Sequence, residues 1–459
     1  MQVWHTARAI TASFDDRNLV SVAGLVPVMK LAEKAGLRKL GDKWLSVPTD
    51  KGAHAGLKVA SLVGGMVAGA DSIADMGVLR HGGMRKLFGN LYAPSTLGSF
   101  LRSFTFGHVR QLDAVASRFL INLAALTPLV VHNPVDPYVF LDVDDTIIEV
   151  HGYQKQGSGY GYSKVRGLNV FIATLKTVAG APIILAQRLR RGPCWSPRGA
   201  DRLIQDALAA LRRLPEMSAV PVLFRADSAF YIYDAIHAAL KRGADVSVTA
   251  RHDSAVKKAI ARIPETAWTP IKYTDAIFDE TSQTWISDAE VAEVPYTAFL
   301  SRNNGITGRL VVRRIPELNK KADAGQLTFF DLHRFHAFFT TSTLNTVEAD
   351  KTHRAHAVIE LVNSDLKSSA LAHLPSGVFT ANAAWLVLAV IAFNLTRAAA
   401  TVAGTGLARA TTATIRRKLV QIPARIASSA RRITLHLPEN GRGKQAGPTS
   451  SITTSDPLE

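Results

Sequence analysis

Cysteine is almost missing from this chain: Cys194 is the only one in 459 residues. One thiol excludes an internal disulfide framework and fits a reducing cytoplasm. Acid is also scarce relative to base. There are 54 Lys and Arg against 37 Asp and Glu, a formal net charge of +17 and a pI near 10.0. Such an excess predicts a polyanionic partner, with nucleic acid first. No long hydrophobic run stands out. The most apolar stretch, "ANAAWLVLAVIAFNL" at 381–395, is broken by Asn382 and Asn394. It falls short of the roughly 20 residues a bilayer needs, so it predicts a buried helix and no membrane partner. The opening "MQVWHTARAITASFDD" has no apolar core of signal-peptide length, which again predicts a cytoplasmic protein. What is present is globular in texture, 47% hydrophobic and 20% charged. The length exceeds one compact core, so two or three domains are expected.

Texture divides the chain. Residues 1–130 read as a helical, DNA-binding domain, from "VAGLVPVMKLAEKAGL" and "HAGLKVASLVGGMVAGAD" at helical spacing. Within it "APSTLGSFLRSF" predicts a helix capped by Ser95 or Thr96. With "DSIADMGVLRHGGM" upstream it could form a helix-turn-helix that reads DNA with Ser95 to Arg102. Residues 131–252 change to strand, strand, strand, helix, strand, helix, strand, and the first three strands are joined too closely for crossover helices. Residues 253–344 read as a β-rich insertion. Residues 345–405 return to helix, 406–437 form a basic helical segment, and 438–459 form a polar, disordered tail.

The densest chemistry lies in "PYVFLDVDDTIIEVHG", 137–152, which sets Asp142, Asp144 and Asp145 into an apolar strand. Asp142 and Asp144 share a face and Asp145 points to the other. Like charges on one buried face call for a cation, and a divalent metal is the usual one. Two chemistries match. The Asp-x-Asp-x-Thr spelling from Asp142 to Thr146 fits a haloacid-dehalogenase-like phosphatase, but that fold needs a doubly wound parallel sheet and a later Gly-Asp acidic pair, neither of which follows. The strand and helix order fits a ribonuclease-H-like core, a mixed five-stranded sheet flanked by helices. In such a core one acid lies mid-way along the first strand (Asp144 or Asp142), one at the end of the fourth (Asp227), and one on the last helix. On a wheel of ~100° per residue, Glu360 shares a face with His353, His356, Asn363, Ser364 and Lys367.

With "LDVDDT", "FRADSAFY" and "HRAHAVIELVNSDLK" in place, the chain resembles the DDE transposases of bacterial insertion sequences, over about 20–400. The branch is the one with a β-rich insertion between the second Asp and the Glu. Its last motif runs Tyr, two residues, Arg, three residues, Glu, six residues, Lys. The same spacing here reads His353, His356, Glu360, Lys367, with His at both the Tyr and Arg positions and Arg354 adjacent. The resemblance selects Asp144 as the first acid, since it lies two before Thr146. It implies that Asp144, Asp227 and Glu360 are catalytic and hold two Mg²⁺, with Mn²⁺ able to substitute. It implies that Lys367, His356, His353 and Arg354 contact DNA phosphates, the histidines most strongly when protonated. It further implies transposon terminal repeats and target DNA as partners, and a homodimer pairing two ends. A catalytically inactive, DNA-binding descendant is the other reading.

Overall fold

The computed structural model describes residues 1, 4–48, 50–152, 154–279, 284–300, 305–316, 333–404, 406–429 and 432–439. A short strand β1 (Leu19–Val20) precedes helices α1 (Leu25–Lys34), α2 (Leu37–Trp44) and α3 (Ala55–Ala68). After a 3-10 segment (Ala74–Arg80) come α4 (Met84–Leu87), α5 (Pro94–Arg102) and α6 (Phe106–Leu126). The α6 start is set by Thr105, which forms a reciprocal capping box with His108. The start of α5 departs from the sequence expectation. Neither Ser95 nor Thr96 caps it; Ala93 holds the cap position and Pro94 opens the helix. Proline suits that place because its missing N–H would have had no partner there.

The sheet begins with β2 (Val139–Glu149), β3 (Gly159–Tyr160), β4 (Arg166–Lys176) and β5 (Ile183–Arg191). Then follow α7 (Ala200–Leu211), β6 (Val222–Ala226), α8 (Tyr233–Lys241) and β7 (Ala244–Thr249). β2 pairs antiparallel with β4, and β4 with β5, whereas β2–β6 and β6–β7 are parallel. The spatial order is therefore β5-β4-β2-β6-β7. β4 is buried from Gly167 to Leu175 and β6 throughout, as expected where both faces are covered.

The β-rich stretch does not form a sheet of its own. After α9 (Ser254–Ile260) come β8 (Thr269–Asp279), β9 (Thr284–Ala298), β10 (Ile306–Pro316) and β11 (His333–Thr340). β11 pairs antiparallel with β7, so these strands prolong the same sheet, which reaches ten strands in the order β3-β4-β2-β6-β7-β11-β10-β9-β8 with β5 against β4. The helix expected near 355 is broken in two. α10 (Thr346–Arg354) and α11 (Val358–Lys367) are joined by a 3-10 turn, Ala355–Ala357. A 3-10 turn advances about 120° per residue against ~100° in an α-helix. The wheel drawn through both halves is thereby rotated, and the face carrying Glu360 does not extend back to His353.

Helix α12 (Phe379–Val402) binds the layers together. It packs on α1, α3, α5 and α6 on one side and on β5 on the other. It is long and apolar enough to cross a membrane, yet 94% of its most apolar window is buried within the protein. Its two asparagines are satisfied. Asn394 accepts from Ile184 N–H (3.0 Å) and donates to the Ile184 carbonyl (2.8 Å), beside a register shift between β4 and β5. Asn382 does the same for Ser376. One hydrophobic core consequently runs from Val20 to Ile426. The expected self-contained helical domain 1–130 is not independent, because its helices close around α12. The expected helical segment 406–437 is also corrected. After α13 (Thr412–Ile415) and a π turn (Arg416–Val420) the chain becomes β12 (Ala424–Ser429) and β13 (Arg432–His436), forming a small sheet β1-β12-β13. Ala424 and Ile426 are buried while Arg425 is exposed, a period of two that the basic residues hid in the sequence. Of the expected polar tail, 440–459 lies outside the described residues.

Candidate active site

Three acids on β2 meet three environments. Asp142 is 1% exposed and forks onto Arg225 of β6, with Nε–Oδ1 at 2.7 Å and Nη2–Oδ2 at 2.8 Å. Arg225 also donates to the Thr352 carbonyl (2.6 Å) and lies over the Phe140 ring. Asp145, on the opposite face, accepts from Arg190 (2.7 Å) and Asn169 (2.5 Å). Of the three, Asp144 alone has no basic partner among the described residues. Its Oδ1 accepts from the Asp145 N–H and its Oδ2 from Asn363 Nδ2, both at 2.8 Å. Two of the three acids are thus neutralised by arginine, and the middle one faces an amide.

Register brings the second acid to it. On the parallel pair β2–β6, Asp142 stands opposite Arg225. Two residues further along both strands, Asp144 and Asp227 come level, just past the end of β6. Asp227 caps the following 3-10 turn, accepting from Ala229 N–H at 3.0 Å. Burial, with the charge of Asp227 beside it, pushes the Asp144 carboxyl up to about 7. Burial raises Asp227 as well, the charge of Asp145 adds to this, and the Ala229 N–H and His356 oppose it. A half-buried carboxylate lies beside a more exposed one, and among the described residues no arginine pairs with either, so a cation there would relieve both.

Glu360 lies on α11 one turn before Asn363, the residue that holds Asp144, and its side chain is exposed. Among the described residues, however, no three His, Cys, Asp or Glu side chains are gathered tightly enough to hold a metal ion. The structure brings Asp144 and Asp227 together and leaves Glu360 outside a closed triad. Lys367, two turns on, is exposed and faces a groove of about 630 Å³ that runs from Asp145 past Thr146 to His373.

Of the expected phosphate contacts, His353 is turned inward and Arg354 is engaged by an acid. His353 is buried, with Nδ1 2.9 Å from Ser247 Oγ and Nε2 3.0 Å from Thr249 Oγ1, and it stacks on Phe338 at 4.1 Å. Burial, with the charges of His356, Arg225 and Arg313 nearby, pushes its pKa well below 6.5. It is a neutral packing residue with both ring nitrogens engaged. Arg354 is drawn to Asp350 (2.9 Å), which also binds Arg313. His356 is different. Its Nδ1 donates to the His353 carbonyl (2.7 Å), and the ring lies near enough to Asp227 to lower that carboxyl. The expected reading helix also differs. Ser95, Thr96 and Arg102 are exposed on α5, where Arg102 donates to Ser99 at 3.1 Å, but the segment before it is a 3-10 turn and a four-residue helix. That is not a helix-turn-helix.

The family profile described as transposase DDE domain group 1 matches residues 3–445. The chain belongs to the DDE transposases. A search of curated proteins returned no match. Membership accounts for the basic excess, since a transposase works on DNA, and it ends the phosphatase reading, which the antiparallel neighbour of β2 already opposed. Residues missed in the sequence of this transposase are Arg225, Arg190 and Asn169. Arg225 left a signal: a lone charge within the apolar "VPVLFRA" needs a buried partner, and Asp142 is the acid of matching depth.

Proposed function

We propose that this transposase binds the ends of an insertion sequence, cuts DNA there by phosphodiester hydrolysis, and joins the freed 3′-OH to target DNA. The observation that carries the reading is Asp144 on β2 level with Asp227 just past the end of the parallel neighbour β6, with α11 set against Asp144 through Asn363. The strand order β5-β4-β2-β6-β7, followed by a closing helix, supports a ribonuclease-H-like core. The donor set fits a hard divalent cation. It is made of carboxylate oxygens, two of them mutually repelling, and Asn363 Oδ1 is buried with no hydrogen-bond partner among the described residues. Asp144, Asp227 and Glu360 would hold Mg²⁺, or Mn²⁺ in its place. When bound, the metal supplies an activated water and stabilisation of the leaving oxygen.

The chain's own groups do the positioning. Asn363 and the Asp145 N–H fix the Asp144 carboxylate. Asp142–Arg225 and Asp145–Arg190 neutralise the flanking acids. Lys367 holds a backbone phosphate as a point charge along the groove, and His356 offers a further contact near Asp227. Two protomers pair two transposon ends in this reading. The test is cleavage of DNA bearing the element's own ends, with and without Mg²⁺. Asp144→Ala, Asp227→Ala and Glu360→Ala should each abolish cutting and leave DNA binding nearly intact. Retained cleavage in any of the three removes that residue from the site, and retained cleavage in all three ends the proposal.

A further inference from the structure

Three aromatic side chains stand in solvent at one edge of the groove. Tyr160 is 62% exposed, Tyr162 106% and Trp195 62%. Their rings have no ring, cation or hydrogen-bond partner among the described residues. Tyr162, Cys194 and Ser196 line the groove directly, as does Lys367. Single exposed aromatics are ordinary. Three on two touching segments at the rim of one groove are not.

The two loops are held against each other through backbone. Gly192 N–H donates to the Gly157 carbonyl at 2.9 Å. A Cβ on Gly161 would meet the Gly192 carbonyl oxygen at 2.8 Å, and one on Gly159 would meet Pro193 at 2.9 Å. Only glycine permits this approach. It fixes the Tyr160–Tyr162 turn to the turn that carries Trp195, so the rings are displayed from a pre-set frame. Their surroundings are one-signed. Residues 151–200 contain eight Lys and Arg and no Asp or Glu. Lys164, Arg191 and Arg198 flank the rings and are exposed. Flat π faces set among cations favour nucleotides over an apolar protein partner, because bases stack and the phosphates between them are neutralised.

We propose that Tyr160, Tyr162 and Trp195 form a stacking platform for unpaired nucleotides of a DNA end lying in the groove that Asp145, Thr146 and Lys367 line. The platform rests on the reading of the protein as a DNA-end-cutting transposase and adds to it a site for single-stranded DNA. Stacking on a π face is sequence-tolerant, so the site reads the absence of pairing rather than base identity.

The test uses the full chain and two probes at matched salt: a blunt duplex with the element's end, and the same duplex with a short single-stranded tail carrying a fluorescent purine analogue. The parent protein should bind the tailed probe about tenfold more tightly and quench the analogue. Tyr162→Ala and Trp195→Ala should each remove most of that preference while leaving blunt-duplex affinity unchanged. Tyr162→Phe and Trp195→Phe should keep it, since they retain the π face, and they decide the matter if an alanine variant does not fold. Equal affinity of the parent for both probes overturns the platform, as does loss of preference in the Phe variants. Mg²⁺-dependent cleavage of the blunt probe is read in the same preparations. Tail preference without any cleavage would count against the transposase mechanism and not the platform; cleavage without tail preference would do the reverse.

Discussion

Asp142 and Asp144 share a strand and a face, yet their removal should change stability in opposite directions. Asp142→Ala leaves Arg225 charged, about 1% exposed, with the Thr352 carbonyl and the Phe140 face as its remaining partners among the described residues. Breaking such a pair costs about 3–5 kcal/mol. Unfolding entropy is roughly 2.1 cal/mol/K per residue, so 459 residues give about 1 kcal/mol/K and a Tm lower by about 3–5 °C. Asp144→Asn does the opposite in metal-free buffer. The carboxyl there is held up to about 7 against an ordinary 3.8. At roughly 1.4 kcal/mol for each pH unit, its ionised form costs the native state up to about 4 kcal/mol. Asparagine gives up one acceptor, worth about 1 kcal/mol, so the net gain is on the order of 2–3 kcal/mol. Between about pH 4 and 7 the folded protein keeps a proton that the unfolded chain has lost, so parental stability falls as pH rises through that window. The asparagine variant lacks that fall. Thermal melts in chelator at about pH 8 compare the three proteins. A neutral Asp142→Ala, or an Asp144→Asn that melts below the parent, would refute the assignment of Asp142 to structure and Asp144 to a strained, cation-requiring site.

His353 is expected to make the fold acid-sensitive rather than the chemistry acid-stimulated. Its pKa is pushed below 6.5 by burial and by His356, Arg225 and Arg313. Below about pH 6.5 the unfolded chain takes up a proton that the native one refuses, removing up to about 1.4 kcal/mol per pH unit. Urea midpoints should therefore drop less on acidification in His353→Gln than in the parent; equal drops count against the neutral, buried reading. Lys367→Ala should weaken DNA binding by about 1–3 kcal/mol and lower the salt slope by about one counterion. An unchanged salt slope means that Lys367 touches no phosphate.

Much of the catalytic layer was legible because its signals are local. Period-two alternation marked β2 and apolar runs marked β4, β5, β6 and β7, the order around them followed from short connections, and Asp227 at the end of "VPVLFRAD" lies where register brings it to Asp144. What failed was long-range. No spacing rule shows that β11 docks on β7 and prolongs the sheet. A wheel assumes one helix, and the 3-10 turn at Ala355–Ala357 turned His353 inward to Ser247 and Thr249. Basic residues at 424–436 masked a strand whose partner lies some four hundred residues earlier, at Leu19–Val20. The division at residue 130 failed for the same reason, since the composition of 1–130 cannot reveal that its core is completed from 379–402.

That last arrangement sets an order of events during synthesis. The helices up to Leu126 leave the ribosome with their apolar faces made but without α12, which ends at Val402. At roughly 5–20 residues per second the intervening stretch takes on the order of 15–55 s to appear. For that interval the first quarter of the chain has a groove where its central helix belongs. The part that is made first is finished last, and a chain interrupted anywhere before residue 379 has an open half-core in place of a smaller, stable protein.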